Sequence, residues 1–88
     1  MIYSRLTAKI ALNAKPEDKI YKIYDGRGLY LKVMPNGSKY WRFKYRIDGK
    51  EKTLAFGVFP EVSLKEARIK CLESRYIRRH GGDPSKGK

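Results

Sequence analysis

Arg42, Lys44 and Arg46 stand two residues apart within Tyr40-Trp41-Arg42-Phe43-Lys44-Tyr45-Arg46-Ile47. On an extended strand, alternate side chains share a face. The three cations therefore line one surface at a spacing of about 6.7 Å, two residues of strand rise, with Tyr40 beside them. Trp41, Phe43, Tyr45 and Ile47 line the opposite face and supply a core. Two readings of the cationic face compete. A surface that is merely solvated mixes charges of both signs. This outward set contains no acid, which favours a surface that binds anions.

Other reactive residues give no catalytic pattern. Asp25-Gly26-Arg27-Gly28 lacks the strand–loop–helix context and the Lys-Ser/Thr pair of a phosphate-cradling loop, so it reads as a hairpin turn. His80 is the sole histidine and falls at a helix C-terminus, where a positive charge suits the helix dipole. Cys71 falls on a small-residue helical stripe and reads as a core thiol. The acids are scattered, with no pair placed for acid/base work. No metal site and no cofactor are expected. Arg68, Arg75 and Arg79 come close together on a helical wheel, either as a solvated face or as phosphate contacts at the edge of the basic sheet.

The chain of 88 residues carries 21 Lys+Arg against 9 Asp+Glu, a formal net charge of +12. A chain so small and basic repels itself unless a polyanion is its partner. Nucleic acid is the first expectation and an anionic membrane the weaker one. There is no run of about 18 apolar residues, no basic-then-apolar leader, and the cations gather on a strand rather than along an amphipathic helix. With Cys71 as its one cysteine, the chain forms no internal disulfide, and a reducing cytoplasm fits it best.

The elements that position these residues can be read in order. Thr7 to Lys15 suggests a short helix ended by Pro16. Strands follow at Lys19 to Asp25, where both faces look apolar, and at Leu29 to Val33, with Tyr30 and Lys32 outward. Asn36-Gly37 and Asp48-Gly49 are hairpin signals flanking the octet strand. A fourth strand runs near Lys50 to Phe56, with Leu54 and Phe56 inward and Thr53 and Ala55 outward. Gly57 and Pro60 break the pattern. Ser63 and Glu66 form a capping box for a helix from Leu64 to Arg79. Leu64, Ala67, Cys71 and Ser74 make a stripe suited to lying on a sheet. Ile69, Leu72 and Tyr76 make a second, predicting burial on more than one side. The fold class is α+β: a small antiparallel meander of three to four strands on a C-terminal helix, with a short N-terminal helix. Gly81-Gly82-Asp83-Pro84 ends the helix, and the polar tail to Lys88 reads as a linker.

Thr7-Ala8-Lys9, Ala14-Lys15-Pro16, Asp25-Gly26-Arg27-Gly28-Leu29-Tyr30-Leu31, Gly37-Ser38-Lys39-Tyr40-Trp41-Arg42-Phe43, Gly57-Val58-Phe59-Pro60-Glu61-Val62-Ser63-Leu64 and Glu66-Ala67-Arg68 together resemble one family. It is the N-terminal arm-type DNA-binding domain of prophage and genomic-island integrases, which are tyrosine recombinases. The resemblance covers essentially the whole chain. It implies a domain over 1–82 and, from Gly82-Asp83-Pro84, a linker over 83–88 to a core-binding and catalytic region. It also implies that a sheet enters the major groove at arm sites flanking the crossover site, a docking the groove admits. The family's catalytic tyrosine and its Arg/His/Lys companions belong to a C-terminal domain outside this sequence, so this piece is not expected to be an enzyme.

The expected contacts are Arg42, Lys44 and Arg46, with Tyr30, Tyr40 and Thr53 adding phosphate or base contacts and Lys32, Lys39, Lys50 and Lys52 steering. The expected partner is double-stranded DNA, with no membrane. Other integrase protomers would be met through parts outside this sequence, in a bacterial cytoplasm on the nucleoid. A single-stranded DNA or RNA module is the alternative, because exposed aromatics among cations also make a stacking platform. A module binding an acidic protein is a third reading.

Overall fold

The computed structural model describes residues 6–86. Four antiparallel strands, β1 (Tyr21–Gly26), β2 (Leu29–Val33), β3 (Lys39–Ile47) and β4 (Lys50–Phe59), form one sheet in sequential order. Helix α1 (Ala8–Asn13) precedes the sheet; α2 (Leu64–Arg79) and a short 3-10 turn (Pro84–Lys86) follow it. This is the α+β meander that the alternation and the two hairpin signals imply. At the β3–β4 corner, Asp48 and Gly49 both take positive φ, 53° and 76°. Such a pair makes the tight turn whose twist matches the flanking strands.

Register sets the two faces. Leu29, Leu31 and Val33 stand opposite Phe43, Trp41 and Lys39 across β2–β3. With Ala11, Leu64, Ala67 and Cys71 they build the core on the helix side. Trp41 is fully buried, and its indole Nε1 donates to the Val62 carbonyl at 2.7 Å. The ring thus gains apolar burial without stranding its one donor. Phe43 stacks between Tyr45 and Phe56, with centroids 5.5 and 5.8 Å away.

Two boundaries differ most from the sequence reading. Strand β1 begins at Tyr21, leaving Ile20 exposed before it. Its faces are then distinct: Tyr21 and Ile23 are half-buried, and Lys22 and Tyr24 are exposed. Strand β4 does not stop at Phe56. A bulge between Trp41 and Arg42 absorbs one residue, Gly57 pairs with Trp41, and the strand continues to Phe59. Gly57 is required there by close approach, since a Cβ would come within 2.6 Å of Val62 Cγ2.

Helix α2 keeps the expected limits, with the Ser63 side chain accepting from Glu66 N and the Glu66 side chain from Ser63 N. Leu64, Ala67, Cys71 and Ser74 are its buried residues. Ala67, Cys71 and Ser74 are small, which suits this face of the helix to close packing on a sheet. The expected burial on a second side is overturned: Ile69, Leu72 and Tyr76 are 47, 61 and 62% exposed. One sheet covers one face of a helix, and among the described residues no further layer lies over α2.

Beyond α2 the chain turns back. The Asp83 carboxylate accepts from Tyr45 Oη at 2.6 Å and from Lys52 Nζ at 2.9 Å, and Pro84 is buried. Asp83 and Pro84 are thus fastened to the domain. Gly87 and Lys88 of the expected linker lie outside the described residues.

Candidate nucleic-acid interface

The face of the sheet turned away from the helices is built by register. Tyr30 stands opposite Arg42 and Lys32 opposite Tyr40; Lys44 stands opposite Thr53 and Arg46 opposite Glu51. Strand β1 adds Lys22 opposite Lys32 and Tyr24 opposite Tyr30. Seven of the ten predicted contacts, Tyr30, Lys32, Tyr40, Arg42, Lys44, Arg46 and Thr53, therefore share one surface. Lys22 and Tyr24 join this surface, although a strand begun at Lys19 blurs the two faces of β1. Begun at Tyr21, the same alternation rule selects them.

The cations are held in place more than they are neutralised. The Arg42 guanidinium lies 5.2 Å from the Tyr40 ring centroid, and Lys22 Nζ lies 5.1 Å from that of Tyr30. Such contacts orient a cation while leaving its charge uncancelled. Lys22 and Lys32 directly oppose each other with no acid between them, a pairing that costs stability and that an anion relieves. Glu51 is the one acid brought onto this face by the register, 3.5 Å from Lys44 Nζ. So exposed a pair contributes little. Tyr24 first, and Glu51 after it, hold the Lys44 ammonium above the ordinary lysine range, so it is fully charged at neutral pH.

Tyr30 is only 5% exposed. It packs on Tyr24, with centroids 5.2 Å apart and planes tilted by 40°. The ring is a floor beneath the cations rather than a projecting contact.

Lys39, Lys50 and Lys52 fall on the opposite parity. They stand across from Phe59, Ile47 and Tyr45 respectively. Lys39 Nζ donates to the Ala11 and Leu12 carbonyls at 2.8 and 3.1 Å, holding the C-terminal end of α1, where a cation meets free carbonyls. Lys52 grips Asp83, which places its ammonium above the ordinary range. Arg68 is likewise occupied. Its Nη2 and Nε donate to the two oxygens of buried Asp25 at 2.8 and 3.0 Å, and Nη2 also donates to the Leu6 carbonyl at 2.8 Å. The helix side thus gives Lys39 and Lys52 close internal partners, whereas the outer side offers only the long Lys44–Glu51 contact as an ion pair among the described residues.

Comparison with known proteins identifies the family. Residues 6–88 match the family model described as Arm DNA-binding domain. The chain belongs to this arm DNA-binding domain family. It is 52% identical to the integrase of Enterobacteria phage P4 over 82 residues, 91% of this chain and 19% of that protein. Prophage integrase IntZ of Escherichia coli (strain K12) is 49% identical over 81 residues, 90% of this chain and 20% of its own. The integrase of Shigella phage Sf6 is 47% identical over 83 residues, 94% of this chain and 22% of its own. The arm domain thus spans about a fifth of the length of these curated relatives. It is a DNA-binding domain of the integrase type, and DNA is its partner. Among the described residues, no helix of the arm domain is long and apolar enough to cross a membrane.

Proposed function

We propose that this arm domain binds double-stranded DNA at the arm sites of an attachment region. In this reading it serves an integrase that inserts and excises a prophage or genomic island, and its outer sheet face lies in the major groove. The observation that carries this reading is the alignment of Lys22, Lys32, Arg42, Lys44 and Arg46 on one face. A groove about 12 Å wide admits a two-stranded β-ribbon. Arg42, central on the face, is the reader of a guanine edge, the commonest role of arginine in such grooves. Lys22, Lys32 and Lys44 neutralise phosphates on either side.

The aromatic residues favour duplex over single strands. A stacking platform needs open ring faces, whereas Tyr24 and Tyr30 pack on each other and Tyr40 lies against Arg42. One small module buries only about 600–1,000 Å² on DNA. Selectivity then depends partly on tethering to the remainder of an integrase, which raises the local concentration at a second site. The catalytic step belongs to that remainder.

The test is a footprint of the chain on an attachment region, alongside competition between duplex and the separated strands. Protection away from the crossover core, with duplex as the better competitor, is the expected result. Preference for single strands would replace this reading with the stacking alternative.

A further inference from the structure

A second cationic surface lies around the corner from the sheet face. Strand β3 outruns its neighbour. Pairing with β2 ends at Phe43 opposite Leu29, and the last link is Lys44 N donating to the Gly28 carbonyl at 2.8 Å. Residues 45–47 then have β4 on one side only. The C-terminal half of α2 lies along the vacant edge, where Arg78 Nε donates to the Arg46 carbonyl. Between the helix and this edge is an open cleft of about 420 Å³, lined by Arg27, Lys44, Arg46, Arg75, Arg78 and Arg79 together with Phe43 and Tyr45. Neighbouring residues of one strand line the same cleft only when it runs along the strand edge, so this site is the flank of the sheet.

The six cations have no acid among the residues lining the cleft. Among the described residues, the five arginines form no ion pair, unlike Arg68 on the same helix. The helix dipole accounts for cations in the last turn, namely Arg78 and Arg79. It accounts for neither Arg75, one turn earlier, nor Arg27, which belongs to the β1–β2 turn. Arg75 and Arg79, four residues apart on one helix, repel each other. An assembly of this kind is stable in proportion to the anion that fills it.

We infer that this cleft binds the phosphate backbone of DNA flanking the groove occupied by the sheet, with Arg75 and Arg79 as phosphate contacts. The inference rests on the proposed sheet-face reading. Arg46 and Lys44 belong to both surfaces, so an anion in the cleft continues the outer face instead of forming a separate site. Six cations exceed what one small anion can engage and suit a chain of phosphates. Arg78, tied to the β3 edge, positions the helix end, while Arg75 and Arg79 make the contacts. Such contacts carry affinity and no sequence information.

The experiment titrates the chain, Arg75→Gln, Arg79→Gln and the double variant against attachment-region and scrambled duplexes at several salt concentrations. Arg42→Ala runs in parallel. The expected result is an equal loss of affinity on both duplexes. The slope of log K against log salt should become shallower by about 0.9 for each phosphate contact removed. Glutamine keeps helix propensity, and thermal melts identify any variant that unfolds. Should Arg75→Gln do so, exposed Arg79 alone decides. An unchanged slope while Arg42→Ala weakens binding overturns the cleft and leaves the sheet-face reading standing. Loss on one duplex only also overturns it, since that marks base reading. Indifference of every variant, Arg42→Ala included, overturns both.

Discussion

Lys39 and Lys52 belong to the same sheet as Lys32 and Lys44, yet their ammonium groups have opposite fates. The first pair falls on the helix side, where Lys39 holds the end of α1 and Lys52 holds Asp83. The second pair falls on the outer side, where one lysine faces Tyr40 and the other shares a long, exposed contact with Glu51. Helix α2 repeats the contrast, with Arg68 locked onto buried Asp25 and with Arg75 and Arg79 in no ion pair among the described residues. In so basic a chain, charge alone does not mark a contact. What differs between these cations is whether the fold gives them an internal partner. The fold uses some of its cations as fasteners and reserves the others.

The largest expected effect tests whether the faces are assigned correctly. Trp41→Ala removes a fully buried ring and orphans the Val62 carbonyl. Truncating a buried aromatic costs about 3–5 kcal/mol, enough to unfold many domains of this size. A thermal melt should show little or no cooperative transition, and an unshifted melt would mean the two faces are reversed.

Next comes the fastener on α2. Arg68→Ala leaves the Asp25 carboxylate, 4% exposed, with a single remaining hydrogen bond, from Leu6 N. Breaking a buried pair costs several kcal/mol, and the partial exposure of the arginine reduces this to about 2 kcal/mol. Denaturant titration measures it. Arg75→Gln by contrast should stay within about 0.5 kcal/mol of the wild type. Equal losses at the two positions would erase the distinction between fastening and reserved arginines.

The outer face should show the reverse pattern. Arg42→Ala should cost roughly 1–3 kcal/mol of discrimination between duplexes while its melt moves little. Lys39→Met should do the opposite, loosening α1 by about 0.5–1 kcal/mol with no change in the salt dependence of DNA binding. A salt slope that changes with Lys39 would show that the face rule is incomplete.

The smallest effect concerns Asp83. Its hydrogen bonds from Tyr45, then Lys52 and Ser85, hold the carboxyl well below the usual carboxylate range. A depressed folded pKa contributes stability that is fully present above the unfolded value, about 3.9, and is lost as pH falls below it. Melts of the wild type should therefore soften below about pH 4, and Asp83→Asn should soften less. Superimposed acid limbs would show that the exit segment is not fastened through this carboxylate.

Much of this protein is legible without coordinates. The period-2 alternation of Tyr40 to Ile47 places Arg42, Lys44 and Arg46 opposite Trp41, Phe43 and Tyr45, because strand geometry leaves side chains no other choice. The capping box of Ser63 and Glu66 and the Asp48-Gly49 turn are likewise local, set by hydrogen bonds and backbone angles within four residues. Parity also separates Lys39, Lys50 and Lys52 from the outer face, since they share the faces of Trp41 and Leu54. Other features depend on residues far apart in sequence. Asp25 meets Arg68 across 43 positions and Tyr45 meets Asp83 across 38, and no spacing rule pairs them. The exposure of Ile69, Leu72 and Tyr76 follows from how many layers cover α2, a property of the whole fold. The flank cleft exists because β3 outruns β2 and α2 ends beside the gap, so the helix arginines meet Arg27, Lys44 and Arg46 only once the chain has brought the two together. Local alternation determines which face a residue takes; tertiary contacts determine which of its charges remain free.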